Sequence, residues 1–242
     1  MMFQSLIHQI GLHRRQMDHD LRFSPRRAYS SAILLGQYRV TVPLIQRYAR
    51  GALIDLGCGV MSYRHLIAPY VARYDGVDAH PQTPDVTYTG DVQDLSMISD
   101  QVYDSAICLE VLEHVPDPGR ALSEAYRVLK PGGVLIISAP HLSRQHELPH
   151  DYDRYTPQGL RALLERAQFE VIEIARRGGL GSFLSHQVSL ALLGLTWSVP
   201  VLGSLAWLVN EWLCVRPAYA FDQWADRQGL FAAGFTAVAR KP

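Results

Sequence analysis

Only three cysteines, Cys58, Cys108 and Cys214, occur in this 242-residue chain. They are too few and too scattered for a disulfide framework or a zinc site, and two of them, as small apolar fillers on turns or strands, fit a reducing, cytoplasmic setting. Net charge is also missing, 23 Lys and Arg standing against 23 Asp and Glu, but the balance is uneven. Residues 1–50 hold eight arginines (Arg14, Arg15, Arg22, Arg26, Arg27, Arg39, Arg47, Arg50) against Asp18 and Asp20, leaving the remainder net acidic. This basic, helical N-terminal segment suits anionic lipid or nucleic acid, or else forms a solvated helix face or a lid over an anionic groove. Met1 to Leu12 has neither a basic leader nor a sustained apolar stretch, so no signal peptide is expected. The expected location is the cytoplasm, either free or peripheral at the inner face of the membrane.

What is present begins with Leu53-Ile54-Asp55-Leu56-Gly57-Cys58-Gly59 and, further on, Gly76-Val77-Asp78. A short apolar strand, Ala52 to Leu56, delivers a turn whose glycines let the backbone bend tightly and lie flush against a ligand. Asp78 closes a second strand, where a carboxylate can accept from both hydroxyls of a ribose. A dinucleotide site would want Gly-x-Gly-x-x-Gly to seat a pyrophosphate, and here the third glycine position is Ser62.

Four more segments follow. Gly90-Asp91 ends a β-rich stretch, where an acid can accept from an exocyclic amine. Tyr103 to Leu109 is a buried strand running into Glu110-Val111-Leu112-Glu113-His114-Val115. Leu129-Lys130-Pro131-Gly132-Gly133 stops a helix before the strand Val134 to Pro140. His146-Glu147-Leu148-Pro149-His150-Asp151-Tyr152-Asp153-Arg154-Tyr155-Thr156-Pro157 comes last. Over Ala52 to Phe169, about half the chain, these segments together resemble the class I S-adenosylmethionine-dependent methyltransferases, in particular the small type-11 group.

That resemblance implies an enzyme using S-adenosyl-L-methionine, bound by Asp55, Gly57, Cys58, Gly59, Asp78, Ala79, Asp91, Val92, Leu109 and Glu110. Asp55 supplies the acid that the family carries two residues before its first glycine. The usual third glycine, two positions after Gly59, is Met61, whose larger side chain is expected to narrow the turn.

The alternation of elements predicts an α/β fold, a doubly wound, mostly parallel seven-stranded sheet with an apolar helical insertion before the last strand. Residues 51–242 form the methyltransferase domain, with the insertion at about 180–230. Helices are expected at Ser30 to Arg50, Pro118 to Leu129 (N-cap Asp117) and Pro157 to Ala167 (N-cap Thr156). Strands are expected at Phe169 to Ile174 and Phe235 to Ala239, the latter antiparallel by resemblance.

Val188 to Val209 is a run of 22 residues without charge, long enough to span a bilayer. A single crossing would put Phe235 to Ala239 on the wrong side of the sheet it should complete. Pro200, between Gly194 and Gly203, instead marks a break into a helical hairpin that returns to the same side. Through about 183–215 the hairpin dips into one leaflet, caps a substrate pocket or joins a homodimer. Trp197, Trp207 and Trp212 suit an interfacial position.

Methyl transfer from a sulfonium is an in-line displacement in which orientation supplies much of the rate. A hydroxyl acceptor also needs a base within reach. His146 is the first candidate, and His150 with Asp151 the second; His141 lies in the same stretch. Asp151, Arg154 and Tyr155 have a second reading as internal anchors of the loop, and His114 as a backbone partner. No metal is expected, since no two histidines stand at i, i+4 beside an acid on a predicted helix. The expected reaction is methylation of a small molecule, a saccharide or lipid-linked hydroxyl. A non-catalytic nucleotide-fold binding protein is the alternative. Nucleic-acid methylation ranks last, because the chain has neither an Asn-Pro-Pro-Tyr-type motif nor a paired-cysteine mechanism.

Overall fold

The structure is a computed structural model describing residues 10–13, 16–17, 19–226 and 229–242. Arg14, Arg15, Asp18 and most of Met1 to Leu12 lie outside the described residues. The chain divides into two compact units, a sheet unit of residues 40–176 and 234–242 and a helical unit of residues 1–39 and 177–233.

In the sheet unit, β1 (Ala52–Leu56) is central because four of its five residues are buried, as both faces of a parallel sheet must be. It pairs in parallel with β2 (Arg73–Asp78) and with β4 (Tyr103–Leu109). β3 (Tyr88–Thr89) extends the β2 edge and β5 (Leu129–Pro140) the β4 edge, both parallel. β7 (Gly234–Arg240) runs antiparallel to β5 and stands between it and β6 (Glu170–Arg177). The resulting order is β3-β2-β1-β4-β5-β7-β6. Successive strands depart in opposite directions from β1 and β4, and ligands bind at such a switch point, outside the carboxyl ends of the strands.

Helix α1 (Ala32–Tyr48) brings Leu44 and Ile45 onto Leu53, Ile107, Ile136 and Val238 in one apolar core. After the short α2 (Arg64–Ile67), α3 (Pro118–Val128) starts where Asp117 accepts the Arg120 N–H at 3.0 Å. It buries Ala121, Leu122, Ala125 and Val128, one stripe at helical spacing. α4 (Pro157–Arg166) is capped by Thr156, which accepts the Gly159 N–H at 3.0 Å.

The boundary between α3 and β5 differs from expectation. β5 begins at Leu129, so Lys130-Pro131-Gly132-Gly133 lies inside the strand. Tyr103 pairs with Leu129 but Ser105 with Val134, and the surplus residues bulge out of the ladder.

The helical unit contains α5 (Leu180–Thr196) and α6 (Pro200–Val209), which continues through a π-helical stretch, Asn210–Val215, into α7 (Arg216–Ala225). Gly179 has no side chain to cap α5; the buried Asp222 does so, accepting Gly181 N–H at 2.7 Å and Ser182 N–H at 2.8 Å. Among the described residues no helix is long and apolar enough to cross a membrane. Trp207 is not interfacial: it is buried with Met17, Leu21, Leu193 and Ala206, under the Arg26 guanidinium at 4.8 Å. Trp212 is exposed, as are Val201, Leu205, Leu213 and Trp224.

Candidate active site

The turn after β1 is set by one carbonyl. Val77 accepts the N–H groups of Gly57 at 2.9 Å and Cys58 at 3.1 Å, so β1 turns over the end of β2. Gly57 and Gly59 both have positive φ, 71° and 51°, where a side chain is strained. The two glycines do different work. A Cβ on Gly57 would stand 2.6 Å from a methyl of Val111, so packing alone requires a glycine here. A Cβ on Gly59 would meet nothing within 4 Å, so the open side of the turn is here.

Asp78 braces that opening. Its carboxylate accepts Gly59 N–H at 2.7 Å and His80 N–H at 2.8 Å, and each oxygen keeps a second acceptor direction. Ala79 beside it is exposed. Asp91 is exposed and accepts from the backbone and side-chain amides of Gln93 at 2.8 and 2.9 Å, while Val92 is buried.

Asp55 and Cys58 face inward instead. Asp55 is 5% exposed, opposite Gly76 in the ladder, and hydrogen-bonded by the Tyr74 hydroxyl. Burial raises its pKa to about 7, with Asp78 adding to the rise and the Tyr74 bond opposing it. Burial likewise pushes the Cys58 thiol up. Met61 does not narrow the turn: it is 2% exposed and lies over Gly76, where a Cβ would meet its Cε at 2.3 Å.

Across the switch point, β4 ends at Leu109 and Glu110 takes φ 56°. Ser138 on β5 holds it twice, accepting the Glu110 N–H at 3.0 Å and donating its hydroxyl to the Glu110 carboxylate at 2.8 Å. The next turn, Leu112–His114, carries the buried Glu113 and the half-buried His114.

The loop after β5 closes on the same place. Arg154 grips Asp151 with two bonds, 2.6 and 2.8 Å, holding the carboxyl well below the usual carboxylate range. Asp151 also accepts His146 N–H at 2.9 Å and has a side chain only 1% exposed, the position of a loop anchor. Tyr155 is buried, its N–H on the Pro140 carbonyl at 3.1 Å. His150 is exposed beside the Tyr152 hydroxyl at 3.0 Å, and His141 stacks obliquely on Phe235. His146 is half-buried and meets His114 edge to face, ring centroids 4.8 Å apart. Burial, and secondarily His114, lowers the His146 pKa.

Turn, acids and strand-end glutamate thus stand at the carboxyl ends of β1, β2, β3 and β4. An open cradle at Gly59 beside a carboxylate with acceptor capacity fits a nucleoside with a ribose diol, and the chemistry of the donor set matches the expected cofactor. The sequence did not mark Glu113 and His114 as neighbours of His146. Glu113 and His114 are adjacent in the chain, but only the folding of the 141–156 loop brings in the third residue.

Residues 54–137 match the model of the methyltransferase-domain family. A protein of Mycolicibacterium smegmatis described as a probable S-adenosylmethionine-dependent methyltransferase is 29% identical over 207 residues, covering 74% of this chain and 79% of that one. The ubiquinone biosynthesis O-methyltransferase of Coxiella burnetii is 31% identical over 98 residues, 36% of this chain and 42% of its own length. In fold, a S-adenosylmethionine-dependent methyltransferase of Archaeoglobus fulgidus superimposes with TM-score 0.53 at 19% identity, covering 87% of this chain and 95% of that one. Sheet order, glycine turn and these matches make the chain similar, over residues 54–137 above all, to the class I S-adenosylmethionine-dependent methyltransferases, a similarity that implies S-adenosyl-L-methionine as the cofactor.

Proposed function

We propose that the chain methylates a hydroxyl of a small acceptor, a saccharide or lipid-linked intermediate, with the acceptor oxygen placed against the histidines of the loop after β5. The observation that carries this reading is the His114–His146 pair, centroids 4.8 Å apart, one turn beyond the strand end that bears Glu110. When bound, the sulfonium supplies an electrophilic methyl group. The protein's part is alignment. Gly59 leaves room, Asp78 accepts from the ribose, Asp91 and Val92 flank the base, and Leu109 and Glu110 meet the amino-acid portion.

His146 is the proton acceptor of the metal-free site in this reading. Its Nδ1 lies 3.2 Å from the Arg144 carbonyl, and a carbonyl only accepts, so Nδ1 carries the hydrogen and Nε2 the lone pair. Asp151 acts through His146 as a positioning residue, being occupied by Arg154. His150, exposed, is the second candidate base.

The preference for oxygen is supported by the name of the Coxiella relative, an O-methyltransferase, of which the match spans 42%. The preference for a lipid-linked acceptor is supported by the helical unit. It exposes Val201, Leu205, Trp212 and Leu213, and its following segment lines, with Arg39, a cavity of about 540 Å³ through Arg216, Tyr219 and Trp224. Apolar side chains with arginines nearby suit the surface of an anionic membrane. The test is transfer of a labelled methyl group to host lipid and glycan extracts, with His146→Ala as the control. Label in lipid or glycan hydroxyls supports the reading; label confined to nitrogen or to nucleic acid overturns it.

A further inference from the structure

Glu113, His114 and His146 each offer one ligand atom, and the three atoms all lie within 4.8 Å of one another. The Glu113 carboxylate, wholly buried, stands 3.7 Å from His114 Nε2. Both imidazoles are held in the same tautomer. The His114 Nδ1 lies 2.6 Å from the His150 carbonyl and the His146 Nδ1 3.2 Å from the Arg144 carbonyl. Each Nδ1 therefore donates and each Nε2 carries a lone pair, the arrangement in which metal-bound histidines are fixed by a backbone carbonyl behind them. The loop that brings His146 is itself tied by the Asp151–Arg154 ion pair, through the His146 N–H.

We propose that Glu113, His114 and His146 bind one divalent transition-metal cation and that this cation takes the acceptor oxygen at its open position. Two imidazoles and one carboxylate favour zinc or cobalt over calcium, magnesium or manganese, which prefer oxygen ligands. Three protein ligands leave a fourth position for a reacting group. Bonds of about 2.0–2.1 Å in a tetrahedral site set ligand atoms roughly 3.4 Å apart, so the widest gap in the cluster closes by about 1.4 Å on binding. Glu147 stands 3.8 Å from His114 Nε2 on an exposed turn and can fill the fourth position until an acceptor arrives.

The role in transfer rests on the hydroxyl-methylation reading; the binding of the ion does not. A bound cation makes the acceptor hydroxyl more acidic. The hydroxyl proton leaves to solvent, the oxygen electron pair forms the new bond to the methyl carbon, and the carbon–sulfur pair returns to sulfur as a neutral thioether. In the loaded enzyme His146 holds the ion instead of accepting the proton. This revises the expectation, drawn from helical spacing, that the histidines hold no metal.

The full chain, stripped with chelator, is titrated with Co²⁺ and with Zn²⁺, reading visible absorption and bound metal per chain. One ion per chain is expected. Glu113→Gln, His114→Ala and His146→Ala should each weaken it at least tenfold, while His65→Ala leaves it unchanged. Circular dichroism and calorimetry with S-adenosyl-L-methionine, both unchanged in His146→Ala, separate metal loss from damage to the fold or cofactor site. Failure of Co²⁺ to bind stoichiometrically, or binding that ignores His146→Ala, overturns the site. Transfer that is indifferent to chelation overturns the role in transfer, whether or not the ion binds.

Discussion

The side chain of Met61 occupies the space that Gly76 leaves empty on β2. Met61 takes φ 55°, the left-handed conformation that glycine adopts freely, and its Cε lies 2.3 Å from where a Gly76 Cβ would be. The left-handed backbone costs roughly 1–2 kcal/mol in a residue with a β-carbon, and burying a methionine returns about 1.5–3 kcal/mol. The exchange is thus near balance, which accounts for a methionine at a position where glycine is expected. Gly76→Ala should destabilise by about 1–3 kcal/mol through overpacking against Met61 and Cys58. In urea unfolding, Gly76→Ala combined with Met61→Ala should cost less than the sum of the two single changes. Strict additivity would mean the contact is not shared.

The two glycines of the turn should fail differently. Gly57→Ala drives a Cβ into Val111 and should lower stability while Val111→Ala in the same chain restores part of it. Gly59→Ala meets open space, so only the backbone cost of about 1–2 kcal/mol applies, and its main effect should be lost cofactor affinity. Calorimetry and unfolding on the same samples separate the two. Equal affinity for the Gly59 variant and the wild type would place the cofactor elsewhere.

Asp78 should matter to the cofactor more than to the fold. Charge-assisted bonds contribute roughly 1.5–3 kcal/mol, so Asp78→Ala should weaken binding at least about tenfold. Because Asp78 also braces Gly59 N–H and His80 N–H, Asp78→Asn, which can still accept from one of them, should retain more affinity than Asp78→Ala. Unchanged affinity in both variants would remove Asp78 from the site.

Much of this fold was legible because local chemistry agreed with the tertiary outcome. Asp117 with Pro118, and Thr156 with Pro157, start their helices where side-chain oxygens next to proline predict them. The apolar run of β1 ends at a glycine turn, and the acid of Gly76-Val77-Asp78 sits at the end of β2. What was not legible depended on where side chains point. The motif does not say that Gly57 faces Val111 while Gly59 faces open space, or that Asp55 turns inward to Tyr74. Trp207 sits in a run so uniformly apolar that periodicity cannot separate the buried face from the exposed one. The Glu113–His114–His146 cluster joins residues 32 positions apart through a loop with no regular structure.

Asp55 gives the molecule a predictable pH response. Its folded pKa of about 7 lies above the ordinary value of 3.8. Between those limits the folded state binds more protons than the unfolded chain, so stability falls as pH rises through this window and levels off above it. The slope is at most about 1.4 kcal/mol per pH unit from one group. Asp55→Asn keeps an acceptor for Tyr74 and removes the titration. Urea midpoints at pH 5 and pH 8 should therefore differ less in Asp55→Asn than in the wild type. Equal differences in the two proteins would show that Asp55 ionises without penalty.

The last expectation concerns the apolar face of the helical unit. Val201 is 85% exposed, Leu213 72% and Trp224 71%, and inserting such side chains into lipid gains free energy in proportion to the apolar area buried. Arg39 and Arg216 line the cavity beside Trp224, although Arg216 is already held by Glu211 at 2.6 Å, so Arg39 should carry more of the attraction to anionic headgroups. That attraction is screened by salt within a Debye length. The protein should sediment with vesicles containing anionic lipid, less so as salt is raised, and Arg39→Glu should weaken binding more than Arg216→Glu. Leu205→Glu and Leu213→Glu should abolish it at any salt. A second copy of the chain on this face predicts the opposite pattern: a sedimentation mass near twice 27.2 kDa, dissociation in the same leucine variants, and no vesicle binding at low salt. Observing that pattern would remove the membrane from the proposed function and, with it, the main support for a lipid-linked acceptor.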